Sequence, residues 1–250
     1  MATPPFPAEA APQRSAPVAA WWHTVALVLI ILVFSAYQGQ PRLLTRASNL
    51  PSRIPIYAAT LGYELFLFCF VWLAGLKPRG VTIREIIGGR WNRLADFMID
   101  LATAFLFTVV VWVTLVVCSL LLHFRGVQAA APLLPQTWAE ASAFVVLAVV
   151  AGFCEEFIFR GYLQRQFLAW TGTVWIAVAL QALVFGGAHI YQGWRGVVTI
   201  TIYGALFGVL AALRKSLRPG MIQHIGQDSF SGLAVFLLTR YKLMPPLNLF

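Results

Sequence analysis

The sequence predicts an all-α fold, a polytopic transmembrane bundle of about seven to eight helices. Composition is the first observation behind this prediction. Of the 250 residues, 60% are hydrophobic and only 11% are charged, whereas a soluble domain carries about 25% charged residues. The second observation is that the apolar residues come in long runs, and a membrane-spanning helix needs about 20 such residues in succession.

Seven apolar runs follow one another along the chain, and each is predicted to be a membrane-spanning helix. They cover residues 22–37, 56–76, 97–122, 141–170, 174–190, 197–213 and 219–238. The fourth run is the longest. Its roughly thirty residues would reach about 45 Å as a helix, against about 30 Å for the hydrocarbon core of a membrane. We therefore expect this helix to tilt, kink or project from the membrane, with Gly152 and Gly161 as weak points.

The rest of the chain leaves room for one domain and a tail. Residues 1–20 are rich in Pro and Ala, so we expect a disordered tail there and a single transmembrane domain over 21–250. The chain has 18 Lys and Arg against 9 Asp and Glu. The basic residues, Lys77 and Arg79 among them, fall in the gaps between apolar runs, where they would contact anionic lipid headgroups. No nucleic-acid-binding motif is present, so the expected partners include membrane lipids and no nucleic acid.

Ionisable residues inside the apolar runs are the main indication of function. Six of them stand out: Glu64, Glu155, Glu156, His189, His224 and Asp228. A charged side chain at membrane depth costs at least about 2.5 kcal/mol, and such residues are retained when they pair or face a polar cavity. Because the last three apolar segments with such groups follow closely in sequence, a helical bundle could bring their side chains together in one buried intramembrane cavity.

The first of these groups is the pair of adjacent glutamates. Glu156 and Arg160 are four residues apart, so on a helix they share a face and can pair. Glu155 points about 100° away, which leaves it available as a general base in a site of low dielectric constant. The alternative is a structural ion network that holds two helices together.

The two histidines each share a helix face with a residue four positions away. Phe185 and His189 form one such pair, and the alternative to a functional role is a histidine that is hydrogen-bonded in the core. His224 and Asp228 form the other. This second pair could bind a metal ion, could stabilise an oxyanion with the aspartate orienting the histidine, or could simply satisfy itself.

Three ionisable residues are left outside the candidate site at this point. Glu64 lies in the middle of its run with no basic residue near it in sequence, although it could face the same cavity. His23 and His123 lie at the ends of apolar runs, where placement at the membrane interface explains them.

Taken together, three motifs resemble the signature of the CPBP family of CAAX proteases and bacteriocin-processing enzymes, also called the ABI or type II CAAX prenyl endopeptidase-like family. The motifs are Glu155-Glu156-x-x-x-Arg160, Phe185-x-x-x-His189 and His224-x-x-x-Asp228. Their order and their placement on successive helices both match, and the resemblance covers about residues 141–240, the expected catalytic core. It implies an intramembrane endopeptidase with its active site in the buried cavity.

The resemblance also implies roles for the individual residues. Glu155 would activate water, and His189 would help to hold that water. His224 and Asp228 match the pair credited with stabilising the oxyanion. Many relatives have Asn at the position of Asp228. Since an ionised aspartate cannot donate a hydrogen bond, Asp228 would instead orient His224 or bind metal. The supporting residues in this comparison are Glu156, Arg160 and Phe185.

The cofactor stays open at this stage. The leading expectation is that no cofactor is bound, and the alternative is zinc or another divalent metal. Should a metal bind, the candidate ligands are Glu155, His189, His224 and Asp228. The expected substrate is a membrane-associated peptide or protein that is apolar or prenylated, and the expected location is the inner (plasma) membrane of a bacterial cell, with several passes.

Two other functions are compatible with the sequence. The chain could be a noncatalytic immunity or scaffold protein of the same fold that only binds a peptide or partner. It could also be a proton-coupled transporter, because carboxylates within membrane helices relay protons in such proteins. The absence of a visible internal sequence repeat weighs against the transporter.

Overall fold

The computed structural model describes residues 16–48 and 50–243, and within them it contains helices and no strand. The all-α prediction is therefore confirmed. Residues 1–15 of the predicted tail lie outside the described residues. The end of that segment is packed: Ala19 is buried, and its backbone N–H and C=O both bond to the side-chain amide of Gln166, at 3.1 and 2.9 Å.

Eleven α-helical segments are described, and each of the seven predicted runs coincides with a helical stretch. The segments are α1 (Trp21–Gln38), α2 (Pro41–Ser48), α3 (Ile54–Cys69), α4 (Ile83–Ile87), α5 (Leu94–Leu122), α6 (Gly126–Ala130), α7 (Trp138–Glu155), α8 (Gln164–Thr171), α9 (Val174–Gly187), α10 (Gly193–Arg214) and α11 (Arg218–Arg240).

Five helical stretches of the described chain are long and apolar enough to cross a membrane, which makes this an integral membrane protein. They are Trp21–Gln38, Ile54–Arg79, Leu94–Leu122, Trp138–Thr171 and Ile190–Arg214. Helix α9 has 14 residues, so it spans about 21 Å and is shorter than the hydrocarbon core. Helix α11 has 23 residues, but its polar side chains, among them Gln223, His224, Gln227 and Asp228, lower its hydropathy.

Two of the long stretches widen into π-helix within their length. Helix α3 continues as π-helix over Phe70–Leu76, and α7 continues over Glu156–Leu163 before α8 begins. The long fourth run therefore stays helical from the cap at Thr137, whose hydroxyl accepts from the backbone N–H of Glu140, to Gly172 with φ of 70°. Single-turn π segments of this kind are frequent at functional sites.

The π-helical segment Glu156–Leu163 lies at the centre of the bundle, and all of its residues are buried. Helix α7 packs against α3 and α11, and α9 packs against α10. Gly152 permits the close approach of α7 to α11, because a Cβ atom at this position would lie 2.8 Å from the Ile225 side chain. The carboxyl end of α7 is thereby held against the middle of α11.

His23 is buried in this core, so its predicted placement at the membrane interface is wrong. Its Nε2 lies 3.1 Å from the carbonyl oxygen of Phe70, and its Nδ1 lies 2.7 Å from the hydroxyl of Tyr162. A carbonyl only accepts, so Nε2 carries the proton and Tyr162 donates to Nδ1. One imidazole thus joins the two π-helical segments, since Phe70 and Tyr162 belong to different ones.

A second buried carboxylate ties together three helices at the other end of the bundle from the α7 amino terminus. Asp100 of α5 is 1% exposed and lies 3.2 Å from Arg214 of α10 and 2.9 Å from Arg218 of α11. The indole N–H of Trp91 donates to the same carboxylate at 2.8 Å. The three helices that carry these residues are therefore fixed relative to one another near the start of α11.

Candidate active site

Glu156 and Arg160 form the ion pair that the sequence predicts. Oε1 of Glu156 lies 3.0 Å from a guanidinium nitrogen of Arg160, and both side chains are buried. The guanidinium group also stacks over the ring of Phe185, 4.3 Å from its centroid, and donates to the carbonyl oxygen of Gly204 at 3.3 Å. A buried ion pair is stable only with such additional partners, and this is the contact through which Phe185 supports the site.

The imidazole of His224 reaches across from α11 to the two glutamates of α7. Its Nδ1 lies 3.1 Å from Oε1 of Glu156. Because the carboxylate is ionised against Arg160 and can only accept, Nδ1 is the protonated nitrogen. On the other side of the ring, Nε2 faces Oε2 of Glu155 at 3.6 Å and Oδ2 of Asp228 at 3.7 Å.

These distances assign Glu156 and Asp228 different relations to the same histidine. Glu156 makes the short contact and fixes the ring, so it is the residue that orients His224. Asp228 lies beyond direct hydrogen-bond length from Nε2, and its side chain is 40% exposed. The expectation that the aspartate orients the histidine is therefore not met in this structure.

His189 follows the end of α9 and is held by the backbone of that helix. Its Nδ1 lies 2.8 Å from the carbonyl oxygen of Phe185. Since a carbonyl only accepts, Nδ1 carries the proton, and in the neutral ring Nε2 is a free acceptor. The ring lies 4.9 Å from that of Phe185, centroid to centroid.

A cavity of about 230 Å³ opens beside the carboxyl end of α7. Three ionisable side chains line it: Glu155, His189 and Glu64. Most of the remaining wall comes from the first half of the chain and is apolar or aromatic, including Ile31, Phe34, Leu43, Ile56, Tyr63, Leu67, Leu133, Phe159 and Tyr191. Glu155 is thus the residue that joins the cavity to His224 and Asp228, which approach it from α11.

Glu64 is a cavity residue that the sequence motifs did not include. It lies on α3, is 7% exposed, and lines the cavity with Glu155 and His189. The signal that could have identified it is the free-energy cost of a carboxyl group in the middle of an apolar run, which is the same as for Glu155. His123, by contrast, ends α5 with φ of 49° and lies outside the cavity lining.

The arrangement offers little support for a metal centre. In the described part of the chain, no group of three His, Cys, Asp or Glu side chains is arranged so that it could hold a metal ion. The Nδ1 atoms of His189 and His224 are both engaged by protein oxygens. Metal dependence therefore stays a prediction for experiment, and we route no chemical step through a metal.

Comparison with known proteins identifies the same region of the chain. Residues 137–230 match the family model described as "Type II CAAX prenyl endopeptidase Rce1-like". No curated protein and no solved structure matches the chain significantly. The matched segment runs from the start of α7 into α11 and contains every residue of the three motifs, so the resemblance inferred from those motifs is confirmed.

Proposed function

Since residues 137–230 carry the match to the Rce1-like family of type II CAAX prenyl endopeptidases, we propose that this protein is an intramembrane endopeptidase. One observation above all supports the proposal. The carboxyl group of Glu155 lines a cavity within the bundle, beside His189, and faces Nε2 of His224 at 3.6 Å. Peptide hydrolysis needs an activated water, a site for the oxyanion and a proton for the leaving amine, and these three side chains provide the groups for all of them.

In the proposed mechanism Glu155 is the general base. Its carboxylate accepts a proton from water while the water oxygen attacks the carbonyl carbon of the scissile peptide bond. The free Nε2 of His189 accepts the other hydrogen of the same water and so orients the attacking lone pair. When the tetrahedral intermediate collapses, the C–N bond breaks and the proton held by Glu155 passes to the leaving amine.

His224 stabilises the negative charge on the carbonyl oxygen in this scheme. Glu156 keeps Nδ1 protonated, and Asp228 together with Glu155 favours a second proton on Nε2, because both acids lie within 3.7 Å of that atom. The protonated imidazole then donates a charge-assisted hydrogen bond to the oxyanion. Asp228 acts here through its charge and not as a hydrogen-bond donor.

The proposed substrate is a peptide that carries an apolar or prenylated segment. The cavity wall is mainly aliphatic and aromatic, and such a segment partitions into the bilayer before it reaches the site. The proposed location of the enzyme is the inner membrane of a bacterial cell, which membrane fractionation of the native host would test.

The decisive experiment compares Glu155→Gln with the unmodified protein in liposomes. The probe is a peptide that ends in a prenylated CAAX sequence, and the released fragment is measured by mass spectrometry. We expect the variant to lose about 10²–10⁴-fold in kcat, the usual contribution of general base catalysis. The matched control is Glu85→Gln, since Glu85 belongs to the exposed cap of α4 and lies outside the cavity.

Two results would argue against the proposal. Normal cleavage by Glu155→Gln would exclude Glu155 as the base. Absence of cleavage by the unmodified protein, combined with retained biological activity of Glu155→Gln in the cell, would instead favour a noncatalytic binding protein.

A further inference from the structure

Glu64 lines the proposed catalytic cavity, yet it belongs to none of the three motifs. It lies on α3, outside the segment that matches the family. Its Oε2 atom is fully buried and has no hydrogen-bond partner among the described residues. An unpartnered buried polar atom is rare in folded proteins and calls for an explanation.

The charge state of Glu64 follows from its surroundings. None of the ion pairs found within residues 16–48 and 50–243 includes Glu64. The other carboxyl group on the cavity wall is that of Glu155, which is of like charge when ionised. A buried carboxylate without a cation, close to a second acid, is most stable as the neutral acid. In this state Glu64 carries one O–H donor.

The neighbouring wall residues leave that donor free for a ligand. Thr60 lies one helical turn before Glu64 on the same face of α3, and Tyr63 and Leu67 flank it; all of them line the cavity. Glu155 and His189 line the same space, so a peptide whose scissile bond reaches Glu155 also passes Glu64. The peptide carbonyl oxygens of such a substrate are the acceptors that a carboxylic acid donor requires.

We propose that Glu64, as a neutral carboxylic acid, is a substrate-positioning residue that donates a hydrogen bond to a backbone carbonyl oxygen of the peptide near the scissile bond. This inference rests on the proposed endopeptidase function. It adds a recognition element from the first half of the chain to a catalytic set that comes entirely from the second half.

The first test separates hydrogen bonding from charge and from size. Glu64→Gln keeps a donor of similar length, whereas Glu64→Leu removes it. With the prenylated CAAX peptide as probe, we expect Glu64→Leu to raise KM about tenfold, as for the loss of one hydrogen bond, with kcat changed less than about threefold. Glu64→Gln should restore most of the affinity. Thr60→Val, on the same face of the same helix, is the matched control and should leave KM unchanged.

A second test does not depend on turnover. In the Glu155→Gln background, infrared difference spectroscopy is recorded while the same peptide binds. We expect the C=O stretch of a protonated carboxyl group to shift on binding, and the shift to vanish in Glu155→Gln/Glu64→Gln. If Glu64→Leu does not fold, Glu64→Met provides a second apolar variant, and the infrared test needs neither.

Three outcomes would overturn the inference. The first is a Glu64→Leu or Glu64→Met enzyme with normal KM. The second is a Glu64→Gln enzyme as impaired as the apolar variants, which would mean that an ionised Glu64 recognises a cationic group. The third is the absence of a Glu64-dependent carboxyl band. If the unmodified protein fails to cleave at all, the proposed function fails, while the infrared result still decides whether Glu64 contacts the bound peptide.

Discussion

Oε1 of Glu156 lies 3.1 Å from Nδ1 of His224, and the same oxygen lies 3.0 Å from the guanidinium group of Arg160. One carboxylate oxygen thus balances a buried cation and fixes the orientation of a histidine on another helix. The two tasks are separable by mutation, because each depends on a different property of Glu156. Balancing Arg160 requires a negative charge, whereas orienting His224 requires a hydrogen-bond acceptor at a fixed position.

Glu156→Gln should destabilise the protein by about 3–5 kcal/mol, because it leaves the buried guanidinium group of Arg160 without its counter-charge. The expected readout is a lower midpoint of thermal unfolding in detergent. The double variant Glu156→Gln/Arg160→Gln removes the uncompensated charge as well, so it should regain stability. Activity should stay low in the double variant, since the glutamine can turn its amide nitrogen toward Nδ1 of His224. A stable and fully active double variant would show that His224 does not need an oriented partner.

Gly152→Ala should lower activity by separating two helices. Its new Cβ would lie 2.8 Å from the side chain of Ile225 and 3.1 Å from the Ile225 backbone nitrogen. Because backbone cannot yield as a flexible side chain does, α11 must move away from α7, and His224 with it. We expect at least about a tenfold loss in kcat, on the scale of the penalty for small misplacements in an active site.

The control for this substitution is Gly62→Ala in α3, where a Cβ would meet no atom within 4 Å. This change should raise the free energy of unfolding by about 0.5–1 kcal/mol, because alanine favours helix more than glycine does. Equal effects of the two substitutions on activity would contradict the explanation by helix separation.

Asp100→Asn should destabilise the bundle without affecting catalysis directly. The variant leaves Arg214 and Arg218 facing a neutral amide, and we expect a loss of about 1–3 kcal/mol in the free energy of unfolding. Asp96→Asn is the matched control one turn earlier on α5, where the pair with Arg93 is exposed on the arginine side. Its effect should stay below about 1 kcal/mol. Chemical denaturation in mixed micelles would compare the two variants, and equal losses would contradict the importance of burial.

Activity should survive prolonged treatment with a strong chelator. The reason is that the described residues form no group of three ligands for a metal, and both histidines of the site use Nδ1 for protein oxygens. Peptide cleavage is measured before and after dialysis, together with elemental analysis of the protein. Loss of activity that added zinc restores would instead establish metal dependence and make Glu155, His189, His224 and Asp228 the residues to examine as ligands.

The sequence was a good guide wherever a regular periodicity applies. The seven apolar runs all coincide with helical stretches, and the spacing of Glu156 and Arg160 correctly predicted their ion pair. Hydropathy also explains why α11 is a weaker candidate for a span: the polar side chains that form the site are the ones that lower its average. Helices α2, α4 and α6 have five to eight residues, too few for a periodic signal.

Features that depend on long-range contacts could not be predicted in this way. Asp100 lies inside the third apolar run, but its partners Arg214 and Arg218 come more than a hundred residues later. His23 looked interfacial because it lies at the end of a run, and only the packing of α1 against the two π-helical segments buries it. Glu64 joins the cavity through the packing of α3 beside α7, which no local motif records.

The π-helical segment Glu156–Leu163 has a consequence for how this chain tolerates insertions and deletions. A π turn accommodates an extra residue relative to an α turn, so removal of one residue here would restore regular α-helix and rotate all that follows by about 100°. Such a rotation would turn Gln164 and Gln166 away from their bonds to Gly208 and Ala19. The angular setting of Glu155 and the attachment of α8 are thus coupled through one widened turn. A single-residue deletion in this segment should therefore be far more damaging than a substitution at the same place.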